Sequence, residues 1–569
     1  MKKSILFFLA LFVMIFTINA QEYKWVINPK GTDSDYSNDI FVDGLGNNYT
    51  TGYFRSASLD CGNTTLYNSG GIDSAGGPCF DLFVIKMDSN GVINWAKSAG
   101  QSGKFESGTG IAGDHAGNVF ISGWFTGTNF QMGGSTLVSA GLWEAFLAKY
   151  DNAGNVAWAQ KFGGPSDDVG TSVAVDDSGN VYFTGYFFSP TIQFGTITLT
   201  KSGGGMSSDA FLAKFDNNGN VKWAIKIGGS GSDLGRHLAV DKAYNVYLAG
   251  NFAGSMNISG TPLSSSGNTD IFLAKYTSGG AFLWAKKAGG SAMDHVNGIA
   301  VYDTTGCAIT GEAYSNPITF GTIPVAHSGM TNTFDSYVAR YNQNGTVLWA
   351  KGAGGADDDI GRDVTFDTKG NLYACGDYAS ATFGFGGTTI TNSNANSTFT
   401  DFYVAKFDSA GTQQWLKTAN GFYFEYAYAI GADAKDNLYF TGPWEGNTLS
   451  FSPQEIASTG NTDFYIAKIG YPSDTTDTSG SVINEYQKTE SLVFPNPNNG
   501  NFTISNVDYT HELLITVFDV TGRIVYERLI PAGILPKVDL SLGDMQQGLY
   551  MLRVVSNGNE FFSKFVVRR

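Results

Sequence analysis

The sequence predicts an all-β chain, a seven-bladed β-propeller closed by its N-terminal strand and followed by a small Ig-like β-sandwich. Three observations carry this expectation. Trp25, Trp95, Trp158, Trp223, Trp284, Trp349 and Trp415 recur about once every 65 residues. In the middle copies each heads the same text: W-A-K-x-x-G-G, D-x-G-x-x-(V/I)-A-V-D, G-N-V-Y-x-x-G, then D-x-F-L-A-K-Y-D-x-x-G. A repeat of that length points to stacked supersecondary units. The composition agrees, with 73 Gly, 14% aromatic and 15% charged residues, and short alternating segments lie between Gly/Asn/Asp turns. After residue 470 the repeat stops and a different strand-rich module begins.

Residues 1–20 read as a secretory leader. Lys2 and Lys3 precede the apolar run Ile5 to Phe16, and Ala20 offers a small residue before a cut at Gln21. No later stretch is long and apolar enough to span a bilayer as a helix, so the processed chain is expected to be exported, and soluble or surface-attached. The formal charge of −16 argues against nucleic acid and anionic membranes as partners. It is compatible with cations, neutral sugars or basic proteins.

Residues 21–470 parse into blades. In one copy Val173-Ala174-Val175-Asp176 forms the first strand, Val181 to Tyr186 the second, Ala210 to Asp216 the third, and the run around Trp223 the fourth. The turns Asp177-Ser178-Gly179-Asn180 and Asn217-Asn218-Gly219 are hairpin chemistry, because Gly takes the positive φ such turns need. A four-stranded unit cannot bury both its faces alone, whereas radial stacking buries both and leaves short edges. Seven triplets begin near Asp39, Thr109, Thr171, Arg236, Asn297, Arg362 and Tyr428. The first Trp strand precedes the first triplet, and no Trp strand follows Ile469. The count closes only if the N-terminus supplies the outer strand of the last blade.

These copies resemble bacterial β-propeller repeats of the short Gly-rich G-N-V-Y-x-T-G … D-A-F-V-A-K-Y kind, over residues 25–470. Blade 5 departs, with Tyr302-Asp303-Thr304-Thr305-Gly306 at its first turn and Cys307-Ala308 in place of Val-Tyr. The resemblance implies a fold and no particular activity. A polar linker, 471–490, leads to a module at 491–569. There Pro495-Asn496-Pro497 with Gly500, Val517-Phe518-Asp519 with Thr521-Gly522-Arg523, Gly548-Leu549-Tyr550, and Lys564-Phe565-Val566-Val567 follow in order. This module resembles the C-terminal sorting domain of type IX secretion cargo. The resemblance implies a Gram-negative host, passage through the outer membrane by the type IX machinery, and removal of residues 491–569 by a sortase-like peptidase. The remainder is then anchored at the cell surface or released.

Two acidic positions recur in the repeat. Asp35, Glu106, Asp168, Asp233, Asp294, Asp359 and Glu425 precede the first strands, and Asp81, Glu144, Asp209, Asp270, Asp335, Asp401 and Asp463 open the third. First and third strands run in one direction, so both sets are expected on one disc face. There the first set is a candidate for ligand binding, to hydroxyl groups or calcium. The structural alternative is that each acid caps a Gly-rich turn, and a repeat multiplies any structural residue sevenfold. The basic residue five positions into each third strand is expected on the opposite rim, solvated. Repeat aromatics are expected in the core. Sugar-stacking rings would come from outside the pattern, at Trp124, Trp143, Trp444 or Phe422-Tyr423-Phe424. Cys61 and Cys79 lie in one Gly/Ser/Asn-rich loop and could close a disulfide ring; Cys307 and Cys375 read as buried thiols. The five histidines, His115, His237, His295, His327 and His511, show no zinc spacing; His237 and His295 lie near the carboxylate-bearing loops of adjacent blades, which leaves an acid/base role open beside the plainer reading as turn or surface residues. No nucleophile elbow, metalloprotease motif or P-loop occurs, so neither catalytic nor metal-ligating residues are assigned.

Two functional readings follow. One is a non-catalytic surface module that binds a glycan, matrix component or protein through one disc face. The other is a propeller hydrolase or lyase using carboxylates of that face, which would need paired acids about 5–9 Å apart.

Overall fold

The computed structural model describes residues 21–471 apart from 73–76, 328–332 and 394–398. It also describes 493–568 apart from 495–500, 505–512, 520–523, 531–537, 543–545 and 557–558. The leader read at 1–20, nearly all of the linker read at 471–490, and His511 lie outside the described residues. The chain divides into two compact units, Met1–Asp477 and Thr478–Arg569.

The first unit is built from seven antiparallel blades. Blade 3 shows the pattern, with an inner strand Asp168–Val175, a second Val181–Phe187, a third Asp209–Phe215 and an outer Val221–Ile227. The other inner strands are Asp35–Val42, Glu106–Gly113, Asp233–Val240, Asp294–Tyr302, Asp359–Phe366 and Ala429–Ala432, in blades 1, 2, 4, 5, 6 and 7. Each inner strand contacts that of the next blade, and the last contacts the first, so the ring closes. Between the second and third strands a small hairpin packs at the rim, Thr191–Phe194 with Ile197–Thr200 in blade 3. Its Ile192 and Phe194 join Phe162, Phe183 and Phe211 in the core.

The ring is clasped as the strand count requires. Glu22–Ile27 pairs antiparallel with the third strand of blade 7, setting Trp25 opposite Lys468 and Ile27 opposite Ile466. Side chains reinforce the seam: Gln21 Nε2 donates to the Asp436 carbonyl at 2.9 Å, and the Tyr23 hydroxyl to the Thr418 carbonyl at 3.0 Å.

The repeated tryptophans work at the junctions between blades. The Trp223 indole N–H donates to the Ser278 carbonyl, in the outer turn of the next blade, at 3.1 Å. Trp25, Trp95, Trp158, Trp284 and Trp349 do the same to Ser89, Asn152, Asn217, Gln343 and Ser409 at 3.0–3.1 Å. The glycine of that turn is fixed twice over. Gly280 has φ +83°, and a Cβ there would lie 3.1 Å from the Trp223 ring. These rings are half-buried and pack against the hydrophobic cores, filling space between blades.

In the second unit, Val493–Phe494, Asn501–Ile504 and Val538–Ser541 form one sheet. Leu513–Phe518, Ile524–Ile530, Gly548–Ser556 and Asn559–Val567 form another. Phe502, Ile504, Leu552 and Phe565 lie in one shared core, as expected of a small sandwich.

Candidate functional site

The seven inner-strand acids, Asp35, Glu106, Asp168, Asp233, Asp294, Asp359 and Glu425, are 0% exposed. They hold the linker that enters each blade. Asp168 Oδ2 accepts the Gly164 N–H and the Ser189 hydroxyl, both at 2.7 Å, and Oδ1 accepts the Ser189 N–H at 3.2 Å. Asp35 with Ser56, Asp294 with Ser315, and Asp359 with Ser380 repeat this arrangement. The third-strand acids are buried too and cap the loop before their own strand, as when Asp209 accepts the Ser202 N–H at 2.6 Å. The two sets meet at blade junctions: a Cβ on Gly163 would lie 2.8 Å from Asp168 and 2.9 Å from Glu144. Burial pushes the Asp168 carboxyl up to about 6, Asp35 and Asp233 to about 7, Asp359 to about 8, and Glu106 and Glu425 to about 9. The facing carboxylate adds to each shift. The ligand contact expected of these seven acids is therefore corrected. The preceding blade closes over them, and their oxygens serve the backbone.

The basic residues of the third strands are also deeper than expected. Lys214, Lys275, Arg340, Lys406 and Lys468 are buried. Lys275 lies 4.4 Å from the Tyr247 ring centroid and 3.2 Å from Asp241; Lys468 donates to the same Ser89 carbonyl as Trp25, at 3.1 Å. An aromatic face, and in places a turn carbonyl or a carboxylate, replaces water around these cations.

Toward the ring axis the copies differ at two positions. The first is a bulged inner-strand residue, Asn38, Thr109, Thr171, Arg236, Asn297 or Arg362, left unpaired by a register shift; a bulge re-aims its side chain. In blades 1, 2, 3 and 5 that side chain staples the next inner strand. Asn38, Thr109, Thr171 and Asn297 donate to the carbonyls of Gly108, Gly170, Gly235 and Gly361 at 2.7–3.0 Å. Blades 4, 6 and 7 put Arg236, Arg362 and Tyr428 there instead. The second position follows the glycine of the second strand: Tyr53, Trp124 and Tyr186 in blades 1–3, then Asn251, Glu312 and Asp377 in blades 4–6.

The mouth is thus split. On the polar side Arg362 grips Asp377 through Nε at 2.6 Å and a second nitrogen at 3.3 Å. Glu312 is held by the His295 ring at 3.0 Å and by the Asn297 amide at 3.0 Å. Burial raises the Glu312 carboxyl, but His295 and the Arg362 charge outweigh it and leave it below the usual range. Burial raises Asp377 against the pull of Arg362. On the aromatic side Tyr36 stacks on Tyr53 at 5.1 Å, and Tyr53 meets Phe80 at 4.3 Å. Arg362 joins the halves, its guanidinium 4.9 Å from the Tyr428 ring centroid.

Of the aromatics expected outside the repeat, Trp124 and Trp143 stack at 4.7 Å and 20°, and Trp143 is 40% exposed. Phe422 and Tyr423 are exposed, whereas Trp444 is fully buried and belongs to the core of blade 7. The Cys61–Cys79 disulfide is not formed; both are buried thiols, with Cys61 packed among Leu59, Leu66 and Phe54 beneath the rim hairpin. Cys307 and Cys375 are buried. His295 is a member of the mouth rather than a turn residue. Among the described residues no three His, Cys, Asp or Glu side chains gather as a metal site.

Residues 492–568 match the family model of the secretion system C-terminal sorting domain, and 157–186 that of the β-propeller repeat. Among curated proteins, an uncharacterized WD repeat-containing protein of Acanthamoeba polyphaga mimivirus is 24% identical over 75% of this chain and 37% of its own length. The regulatory protein FlaEY of Caulobacter vibrioides is 27% identical over 27% of this chain and 17% of its own. The chain therefore spans well under half of these relatives. Among solved structures, PorZ, a surface component of the type IX secretion system of Porphyromonas gingivalis, aligns over 96% of this chain and 100% of its own, at 10% identity and TM-score 0.21. A gluconolactonase of Xanthomonas campestris aligns over 58% and 82%, at 9% identity and TM-score 0.28. Likenesses at these scores carry nothing about function. Among the described residues no helix is long and apolar enough to cross a membrane. The chain is a protein of β-propeller repeats with a type IX secretion sorting domain, which directs it to the cell surface or the extracellular space.

Proposed function

We propose that the exported ring is a non-catalytic binding module whose glycan, matrix or protein ligand docks at the axial mouth. One observation carries this. Within the first and second strands two positions change chemistry from blade to blade, and side chains at these positions contact one another, Arg362 with Asp377 and with Tyr428, while the constant positions of those strands serve turns and seams. A strand kept for architecture alone has no need to change chemistry at positions that meet one another. In this reading the leader is cut before Gln21, and a sortase-like peptidase removes residues 491–569 during export. The mature ring then stays on the surface or is released.

A hydrolase or lyase reading rests on the His295–Glu312 pair, since a carboxylate-oriented imidazole is also how a general base is held. Binding of the processed protein to glycan and matrix-protein arrays, with reducing-end release assayed on every bound glycan, separates the two. The expected outcome is saturable binding with no new reducing ends. Turnover that disappears in His295→Gln would replace the binding reading with the enzymatic one.

A further inference from the structure

We infer that two of the seven blade junctions, 1–2 and 6–7, are closed by a proton shared between facing carboxyls, so that rising pH opens the ring there first. Glu106 shares its proton with Asp81, and Glu425 with Asp401. These junctions bound the sector of blades 7 and 1, which the N-terminal strand clasps.

Every junction sets two acids side by side. The N–H of the acid before an inner strand donates to the carbonyl just ahead of the third-strand acid of the previous blade, at 2.8–3.1 Å from junction 1–2 round to 6–7. Both sets of acids are buried, where two facing carboxylates cannot both stay ionised without help. Two columns of the repeat supply that help elsewhere. At junctions 2–3, 3–4 and 4–5 the third residue after the repeat Trp is Lys161, Lys226 or Lys287. Their amines lie 2.7, 3.6 and 3.3 Å from Glu144, Asp209 and Asp270. Beyond the second strand, the hydroxyls of Ser56, Ser189, Ser315 and Ser380 donate to Asp35, Asp168, Asp294 and Asp359 at 2.6–2.7 Å. Junctions 1–2 and 6–7 have neither device. Ser98 and Thr418 stand in the lysine column, and Gly127 and Gly446 in the serine column. At these two the inner acid is Glu instead of Asp.

Each glutamate accepts a backbone N–H at 3.3 Å through one oxygen, from Gln101 and from Tyr423. Its other oxygen, Glu106 Oε1 or Glu425 Oε2, is buried without a partner. A proton there turns the orphaned acceptor into a donor, and Glu425 lies within hydrogen-bonding reach of Asp401. The aspartates keep their own donors, the N–H and hydroxyl of Ser69 on Asp81 and of Ser393 on Asp401, at 2.6–2.8 Å. Burial, and then the facing carboxylate, holds both glutamates well above the usual carboxylate range. Lys104, on the linker entering blade 2, pulls Glu106 down less than these push it up. Lys417 lies over the Trp415 and Tyr23 rings. Tyr378 and Tyr465, beside Asp401 and Glu425, are kept neutral by burial. An opened junction releases to water a proton that the closed one keeps. Closure therefore weakens as pH rises from the unfolded carboxyl value, near 4, to the folded one.

The test is native hydrogen exchange of the full chain at pH 7 and pH 8, corrected for the intrinsic pH dependence of exchange. It is read by mass spectrometry at the junction amides of Glu106, Asp168, Asp233 and Glu425. Protection at Glu106 and Glu425 should be about tenfold lower at pH 8, the slope of one proton held by the closed junction alone. At Asp168 and Asp233, whose carboxyls lie at about 6 and about 7, the change should stay within about twofold. Glu425→Gln puts an amide N–H in place of the shared proton, and Thr418→Lys supplies the missing cation. Each should flatten the response at junction 6–7 and leave junction 1–2 as in the parent. Both are melted at pH 6 beside the parent, and Thr418→Lys carries the comparison if Glu425→Gln does not fold. A parent response equal at all four amides, or absent at Glu106 and Glu425, overturns the shared protons. So does a response at junction 6–7 that persists in the folded variants.

Discussion

The tryptophan that marks the repeat shows how one residue type can be legible in sequence while its job is not. Its spacing gave away the blade. What it does depends on the next blade, about 60 residues further on: a half-buried ring lies over the glycine of the neighbouring outer turn and its N–H donates to that turn. Trp223→Phe should keep most of the packing and lose the bond to Ser278 at 3.1 Å, costing about 1 kcal/mol. Trp415 makes the natural control. The blade beside it is the seventh, whose third and outer strands are not joined by a hairpin, since one ends at Gly470 and the other begins at Glu22. Trp415→Phe should therefore cost distinctly less in chemical denaturation. Equal losses at the two positions would mean that the indole bonds contribute nothing. The same dependence on a neighbour hid the depth of Lys275 and Lys468. Their distance from the acid of their own strand was readable, but the tyrosine and turn carbonyl that cover them come from other strands.

At the scale of the element, hairpin turns and strand order were readable because each is fixed within a dozen residues. The acid-capped linkers were readable only as a choice between capping and binding. Burial decides it, and burial is a property of two blades together. This has a consequence for pH. The inner-strand acids are raised by desolvation, from about 6 at Asp168 to about 9 at Glu106 and Glu425. A carboxyl whose folded pKa lies above its unfolded value near 4 binds its proton more tightly when folded. Its contribution is complete below about pH 4 and is lost as pH rises through the folded value. The melting temperature should therefore fall as pH rises from about 4 to about 9. In Asp359→Asn, which keeps an acceptor for the Ser380 hydroxyl and cannot ionise, that fall should be shallower. An Asp359→Asn profile parallel to the parent's across this window would show that Asp359 does not titrate there. The polar half of the mouth was missed at this scale as well. Glu312 and Asp377 occupy the slot where Tyr53, Trp124 and Tyr186 stand in other copies. The signal was the alternation itself, a column of the second strand that changes from aromatic to amide to carboxylate between blades.

For the whole molecule the deciding fact was arithmetic: seven Trp strands set one place out of step with seven triplets. A closed ring needs its ends joined, and Glu22–Ile27 joins them across nearly the full length of the repeat region. Tyr23 meets Phe451 at 5.3 Å, Trp25 meets Tyr439 at 5.9 Å, and the Gln454 amide donates to the Lys24 carbonyl at 2.9 Å. Removing residues 21–30 from the processed chain uncovers the third strand of blade 7 as an open edge and strips two large aromatics from the last core. If each ring buries about 100 Å², at about 25 cal/mol per Å² the loss is about 5 kcal/mol, an upper figure because the unfolded chain already hides some of that surface. The shortened ring should melt well below the parent and self-associate through the exposed edge, both visible in a thermal scan followed by size exclusion. A synthetic peptide of residues 21–30 should raise the melting temperature in proportion to its occupancy, whereas a peptide in which Tyr23 and Trp25 are both alanine should not. If the shortened ring melts like the parent, inner-strand contacts alone close the circle and the N-terminal strand is only an ornament on its last blade.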